Sequence, residues 1–130
     1  MKNFVIVVAV LGSAGAVAAG WAERSHRERE GKAAAATGGD PKHGKAAILK
    51  YGCVSCHRIP GVDGPDANVG PSLERIAGRV YIAGVLSNSP KELMRWIADP
   101  PAVDPRTAMP KLDVAPDDLK HIACYLYTLQ

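Results

Sequence analysis

Large rings are scarce in this chain of 130 residues: one Phe, two Trp and four Tyr, or 5% aromatic. Few big side chains are therefore present to fill a core. A domain of this size buries a modest share of its surface and commonly needs a staple or a bound group. Three cysteines, two of them only three positions apart, exclude a disulfide framework. An excess charge of one sign is missing too, with 16 Lys and Arg against 13 Asp and Glu and a net charge of +3. That balance is too even to point to a nucleic-acid partner. No apolar–polar alternation runs long enough for a strand, and no internal repeat is present. In contrast, Gly (13) and Pro (10) are plentiful and break the chain into short helices and loops. The length suits one domain.

The one long apolar run is N-terminal. Phe4 to Ala22 carries no charge after Met1-Lys2-Asn3. It reads as a signal peptide with Ala16-Val17-Ala18 as a small-residue cleavage site. It also reads as an uncleaved anchor, since 19 residues of helix span roughly 28 Å. Trp21 would then sit at the interface, with Arg24, Arg27 and Arg29 in water. Glu23 to Gly39 is polar, charge-mixed and lacks an apolar face, so it reads as a flexible linker. The expected organisation is a signal or anchor over 1–22, a linker over 23–39 and a domain over 40–130. Both readings of the N-terminus place that domain outside the cytoplasm.

Asp40-Pro41 opens a helix that ends at Tyr51-Gly52. Ile59 to Pro71 is loop, and Leu73 to Gly78 allows one further helical turn. Ser89-Pro90-Lys91-Glu92 is a capping box for a helix that buries Leu93, Trp96 and Ile97 and stops at Asp99-Pro100-Pro101. Pro101 to Pro110 is a rigid, proline-studded segment. Pro116-Asp117-Asp118 starts the last helix, whose packed stripe is Leu119, Ile122, Ala123 and Leu126. The expectation is an all-α fold of short helices and long loops, and loops that long in so small a body wrap something.

Cys53-Val54-Ser55-Cys56-His57 is C-x-x-C-H, the attachment pattern for a c-type haem. Two thiols three positions apart can bond the two vinyl groups on one side of a porphyrin. His57, immediately after, then presents a ring nitrogen to the iron. A redox-active C-x-x-C needs a βαβ context, and a structural zinc needs four ligands; neither is visible. The expected cofactor is thus one covalent haem c on Cys53 and Cys56, with His57 as a metal ligand.

Met109 is the nominated second ligand. It sits between Ala108 and Pro110 in a stiffened loop, whereas Met94 lies in a helix beside Leu93 and Ile97, where core packing accounts for it. His43 and His121 are alternatives, but each lies among polar residues on a helix and reads as solvated. The Asp63–Asp66–Asn68 loop lacks EF-hand spacing, so no calcium is assigned.

With these motifs in place the chain resembles the class I, monohaem cytochromes c over Asp40 to Gln130. Cys53–His57, Gly70-Pro71-Ser72-Leu73, Gly78-Arg79, Thr107-Ala108-Met109-Pro110 and the closing helix carry the resemblance. The stretch from Arg79 to Ala98 looks most like small or fused cytochrome c domains that serve bacterial haem–copper oxidases. The resemblance implies the small cytochrome c fold wrapped around one haem; the N-terminal hydrophobic helix precedes the part of the chain that it covers. It implies that the Pro71 carbonyl accepts a hydrogen bond from His57, and that Arg79, Tyr81 and Trp96 lie near the propionates. It implies that the first helix of the domain crosses the last one closely at Gly44, near Leu126. Cys124 stands where alanine would be ordinary and reads as a small apolar filler.

Functionally, His57 and Met109 saturate the iron, so the expectation is a one-electron carrier of a bacterial respiratory chain with no enzymatic role. Its expected partners are a membrane electron donor and a terminal oxidase. Its expected place is the periplasmic side of the inner membrane, anchored through the N-terminal helix, or soluble in the periplasm after cleavage. Lys45, Lys50, Arg58, Arg106 and Lys111 are candidates for a docking patch. The alternatives are a haem enzyme or gas sensor in which Met109 is displaceable, and a subunit bound permanently in a respiratory complex.

Overall fold

The computed structural model describes the backbone of residues 2–130 and the side chains from residue 17 onward. The apolar run expected to be a signal or anchor over 1–22 therefore lies largely outside the residues whose side chains are described. Among the described residues no helix is long and apolar enough to cross a membrane.

The chain is all-α apart from one minimal hairpin. Helix α1 (Lys2–Thr37) is followed by α2 (Pro41–Lys50), α3 (Pro90–Ala98), α4 (Pro100–Val103) and α5 (Pro116–Tyr127). Single 3₁₀ turns form at Cys53–Ser55 and Ile76–Gly78. The stretch from Cys56 to Arg75 is irregular.

The flexible linker expected over 23–39 is corrected: α1 continues through Thr37. Glu, Arg, Lys and Ala are strong helix formers whether or not a stripe is visible. Arg27 pairs with Glu23 one turn back, at 2.9 Å. The end of α1 has an apolar footing as well, since Ala33 and Thr37 are buried and α1 packs against α5. The helix stops at Gly38, whose φ of +71° is the left-handed conformation typical of a helix C-terminus. Its N–H closes the last turn on the Ala34 carbonyl at 2.8 Å.

α2 begins where Asp40-Pro41 indicates. The Asp40 carboxylate accepts from the N–H groups of Lys42 (2.8 Å) and His43 (3.0 Å). α2 and α5 form the centre of the fold, with Ile48 and Ile122 almost fully buried between the elements. Burying such a side chain contributes about 1.5–3 kcal/mol. Gly44 makes the crossing possible: a Cβ there would fall on the carbonyl of His121 and lie 2.9 Å from the Tyr125 Cβ. The close approach is thus centred about one turn before Leu126. Gly39 makes a second one, against the Lys120 carbonyl.

Two short elements were not expected. The chain over 79–88 folds into an antiparallel hairpin, β1 (Tyr81–Ile82) paired with β2 (Leu86–Ser87), in the register Tyr81↔Ser87 and Ile82↔Leu86. Its turn uses positive φ at Ala83 (51°) and Gly84 (74°). The segment after Asp99 is not uniformly extended either. Asp99 ends α3 and also caps α4, its carboxylate accepting from the Ala102 N–H at 3.2 Å. Pro100 at the first position of α4 is fully buried.

Candidate cofactor site

The loops between α2 and α5 enclose a cavity of about 650 Å³ against the inner faces of α2, α3 and α5. Cys53, Cys56, His57, Pro71, Arg79, Tyr81, Trp96 and Met109 all line it. These residues span more than fifty positions of sequence and reach one space from five separate segments. Met94, His43 and His121 do not line it; Met94 and Met109 both pack against the core, but only Met109 also lines the cavity.

Each nominated residue is held by its local structure. Gly52, at φ +69°, starts the 3₁₀ turn that carries Cys53. The N–H groups of Cys56 (3.2 Å) and His57 (3.0 Å) both donate to the Cys53 carbonyl. Burial pushes the Cys53 thiol above its ordinary value of 9.0, so it stays protonated at neutral pH. The Nδ1 of His57 lies 2.7 Å from the Pro71 carbonyl oxygen. A carbonyl can only accept, so this contact puts the proton on Nδ1 and leaves Nε2 with its lone pair. Gly70 lets the loop pass the ring, because a Cβ there would strike the imidazole. Its N–H closes the loop on the Cys56 carbonyl at 2.8 Å.

On the other wall, the Met109 N–H donates to the Thr107 hydroxyl at 3.1 Å, which shapes the loop that presents the thioether. The Arg79 guanidinium donates to the carbonyls of Ser72 and Glu74. Trp96 is buried at the cavity wall while Tyr81 is 60% exposed at its edge. Asn88 was not nominated, yet it holds this wall together. Its side-chain amide donates to the carbonyls of Ile76 and Arg79, both at 2.8 Å, and its oxygen accepts from the Tyr127 hydroxyl at 2.8 Å. Only the three-dimensional path of the loop reveals that role. The hairpin had a signal: Val80 to Leu86 is apolar and β-rich around Ala83-Gly84.

Lys50, Arg58, Arg106 and Lys111, nominated as docking charges, are each ion-paired, with Asp118, Glu74, Asp104 and Asp99 respectively. Neither they nor Lys45 line the cavity. His121 is not simply solvated: its Nδ1 accepts the Asp40 N–H at 2.9 Å, tying the entry of α2 to α5. Cys124 is fully buried beside Thr37 and its thiol is pushed up by that burial, as for an inert structural cysteine.

The residues present fit a covalently held haem. The volume is that of a small-molecule site, and the walls include Ile48, Ile82, Leu93, Ile97 and Leu126. The donors comprise an imidazole nitrogen with its lone pair free, a thioether and two thiols. Among the described residues no three His, Cys, Asp or Glu side chains gather as a metal-binding set, so a zinc cluster is not assembled there.

No family model matches the chain. It is similar to the cytochrome c oxidase subunit 2 of Alkalihalophilus pseudofirmus, with 30% identity over 88 residues, 67% of this chain and 25% of that protein. It is also similar to the cytochrome c oxidase subunit 2 of Bacillus sp. (strain PS3), with 32% identity over 65 residues, 48% of this chain and 18% of that protein. The chain therefore spans a quarter or less of the curated relatives it matches. These relatives support an oxidase-related protein, a coarser statement than a class I cytochrome c. They also correct one expectation. The chain was read as having no enzymatic role, but its relatives are subunits of an oxidase, which is an enzyme. A saturated ligand set bears on what one site binds, not on whether its domain works inside a larger catalyst.

Proposed function

We propose that this chain is a haem-bearing electron-transfer domain that works in or with a cytochrome c oxidase. The observation that carries the reading is the convergence of Cys53, Cys56, His57 and Met109 on one apolar cavity, with the His57–Pro71 contact freeing Nε2. The similarity to oxidase subunit 2 supports the oxidase as the partner. On this reading Cys53 and Cys56 would hold the haem covalently, and His57 and Met109 would be the side chains that ligate its iron. A bound haem would supply a one-electron couple, and a thioether ligand in addition to an imidazole would raise its potential relative to a second nitrogen ligand.

The chain's own residues do the rest. Pro71 fixes the tautomer and orientation of the His57 ring. Thr107 shapes the loop that presents the Met109 thioether to the cavity. Arg79 and Trp96 mark the side of the cavity for the propionates, and Tyr81 marks its exposed edge. The aliphatic walls exclude water, which disfavours the more highly charged oxidised state. So loaded, the domain would take electrons from a membrane donor and pass them to the oxidase. The domain lies on the periplasmic side of the bacterial inner membrane, with residues 1–22 as its anchor or cleaved signal.

Intact mass of the denatured protein purified from its host is the test. The expected result is a mass increment of one haem that vanishes in the Cys53→Ser/Cys56→Ser variant. Protein that carries no increment when made in a strain that matures c-type haem overturns the reading. Met109→Ala tests the second ligand: the variant should bind carbon monoxide rapidly in the reduced state and the parent should not.

A further inference from the structure

We infer that the groove between α1, α2 and the C-terminal end of α5 binds the phosphate of an anionic phospholipid headgroup, one with no cation to balance it. This second cavity, of about 630 Å³, shares no lining residue with the first. Arg29 from α1, Lys42 and Lys45 from α2, and Arg75 from the loop before the second 3₁₀ turn all line it. Of its two acidic side chains, Glu74 is ion-paired with Arg58 at 3.9 Å, and Glu30 lies 3.6 Å from the His26 ring, so four cations face one unpaired carboxylate. Arg29, Lys42, Lys45 and Arg75, in contrast, have no acidic partner within ion-pair distance among the described residues. Most other cations of the domain do, including Lys50, Arg95, Arg106, Lys111 and Lys120. Four unpaired cations from three segments, converging on one concave surface, form a site for a polyvalent anion. Arg75 also sits at a left-handed φ of 54°, a conformation that favours glycine or asparagine, so this corner keeps an arginine at a conformational cost.

The position of the groove selects the phosphate source. α1 is a continuous helix from Lys2 to Thr37, and its end is packed on α5. The uncharged run ends at Ala22, and His26 and Arg29 lie four and seven residues beyond it. At the helical rise those distances are about 6 and 10 Å, close to the depth of one headgroup layer. This step rests on the reading of residues 4–22 as a retained anchor. A lipid phosphate seated there would hold the domain in one orientation on the bilayer instead of leaving it to swing on a tether.

The full chain in uncharged detergent micelles is titrated with dihexanoylphosphatidylglycerol, dihexanoylphosphatidylcholine and inorganic phosphate, following the amide resonances of Gly61, Arg75 and Thr128. Saturable binding of the phosphatidylglycerol is expected. It should weaken about fivefold per cation removed, and so about a hundredfold in Lys42→Gln/Lys45→Gln/Arg75→Gln. Lys91→Gln, a charge loss away from the groove, should leave it unchanged. Equal affinity of parent and triple variant overturns the site. Equal affinity for phosphatidylcholine overturns the anionic selectivity, and tighter binding of inorganic phosphate than of phosphatidylglycerol overturns the lipid source. Haem content and melting temperature of the same samples should match the parent, which separates failure of the groove from failure of the cofactor reading or of folding.

Discussion

The α2–α5 crossing and the loop wall of the large cavity are stabilised by opposite means. At the crossing, backbones come together directly: Gly39 and Gly44 lie against carbonyls of α5, and Ile48 and Ile122 are sealed beside them. Helices satisfy their own polar groups, so only shape has to match. The loop wall has no ladder of its own beyond a two-residue strand pair. There, side chains meet backbone carbonyls one by one: Asn88 those of Ile76 and Arg79, Arg79 those of Ser72 and Glu74, His57 that of Pro71. The crossing should therefore be sensitive to volume, and the wall to polarity and to what it encloses.

The largest effect is expected from emptying the wall. Cys53→Ser/Cys56→Ser should abolish covalent haem in the intact mass. On the proposed reading it should also strip hydrogen-exchange protection from residues 56–75 and 104–115 while α2 and α5 keep theirs. Equal loss in both regions would mean that helices and loops form one cooperative unit with the cofactor, and the contrast would be lost.

Next comes the crossing. Gly44→Val places its side chain on the His121 carbonyl, and no flexible atom is there to yield. Overpacking typically costs about 1–3 kcal/mol and occasionally more; with backbone as the obstacle the upper end is expected, read as a lowered urea midpoint. Asn88→Ala ranks below it. The substitution leaves the Ile76 and Arg79 carbonyls and the Tyr127 hydroxyl without their partner, for about 1–3 kcal/mol. If Asn88→Ala proves the costlier of the two, the wall rather than the crossing governs stability.

The same contrast explains what could be read from the residues alone. Motifs that act at fixed spacing were legible: the Cys53–His57 run and the Asp40-Pro41 and Ser89-Pro90 helix starts; Met109 was set apart from Met94 by its loop, and of the two it alone lines the cavity. Gly44 at the crossing was legible through the family resemblance. Features set by tertiary fit were not. The end of α1 has no stripe, and only Ala33 and Thr37 against α5 turn its helical propensity into structure. Asn88 reads as one turn residue among many until its three partners are in place. His121 reads as a surface histidine until the Asp40 N–H arrives from 81 positions away. The pairing of Lys50, Arg58, Arg106 and Lys111 was invisible because each partner lies at a spacing set by the loops or too ordinary to single out.

The smallest expected effect links the two regions. The Asp118 carboxylate at the start of α5 accepts from Lys50 Nζ and from the Tyr51 hydroxyl, both at 2.8 Å, and the Tyr51 oxygen in turn accepts the Ala115 N–H at 3.1 Å. These bonds hold the ionised form of Asp118 and lower its pKa below the ordinary 3.8, with Lys50 the main cause. A carboxyl lowered on folding contributes stability that is fully present above its unfolded value and is lost as pH falls through its folded one. Lys50 is raised above 10.5, chiefly by the same bond, so its share is present below that value and is lost as pH climbs past it. Asp118→Asn should therefore lower the urea midpoint by a nearly constant amount across neutral pH, with the gap to the parent closing below about pH 4 and again in strong alkali. Lys50 is exposed and Asp118 half-buried, so 0.5 M salt should shrink the gap in part. A gap that persists unchanged at pH 3 would assign the effect to the helix start rather than to the ion pair.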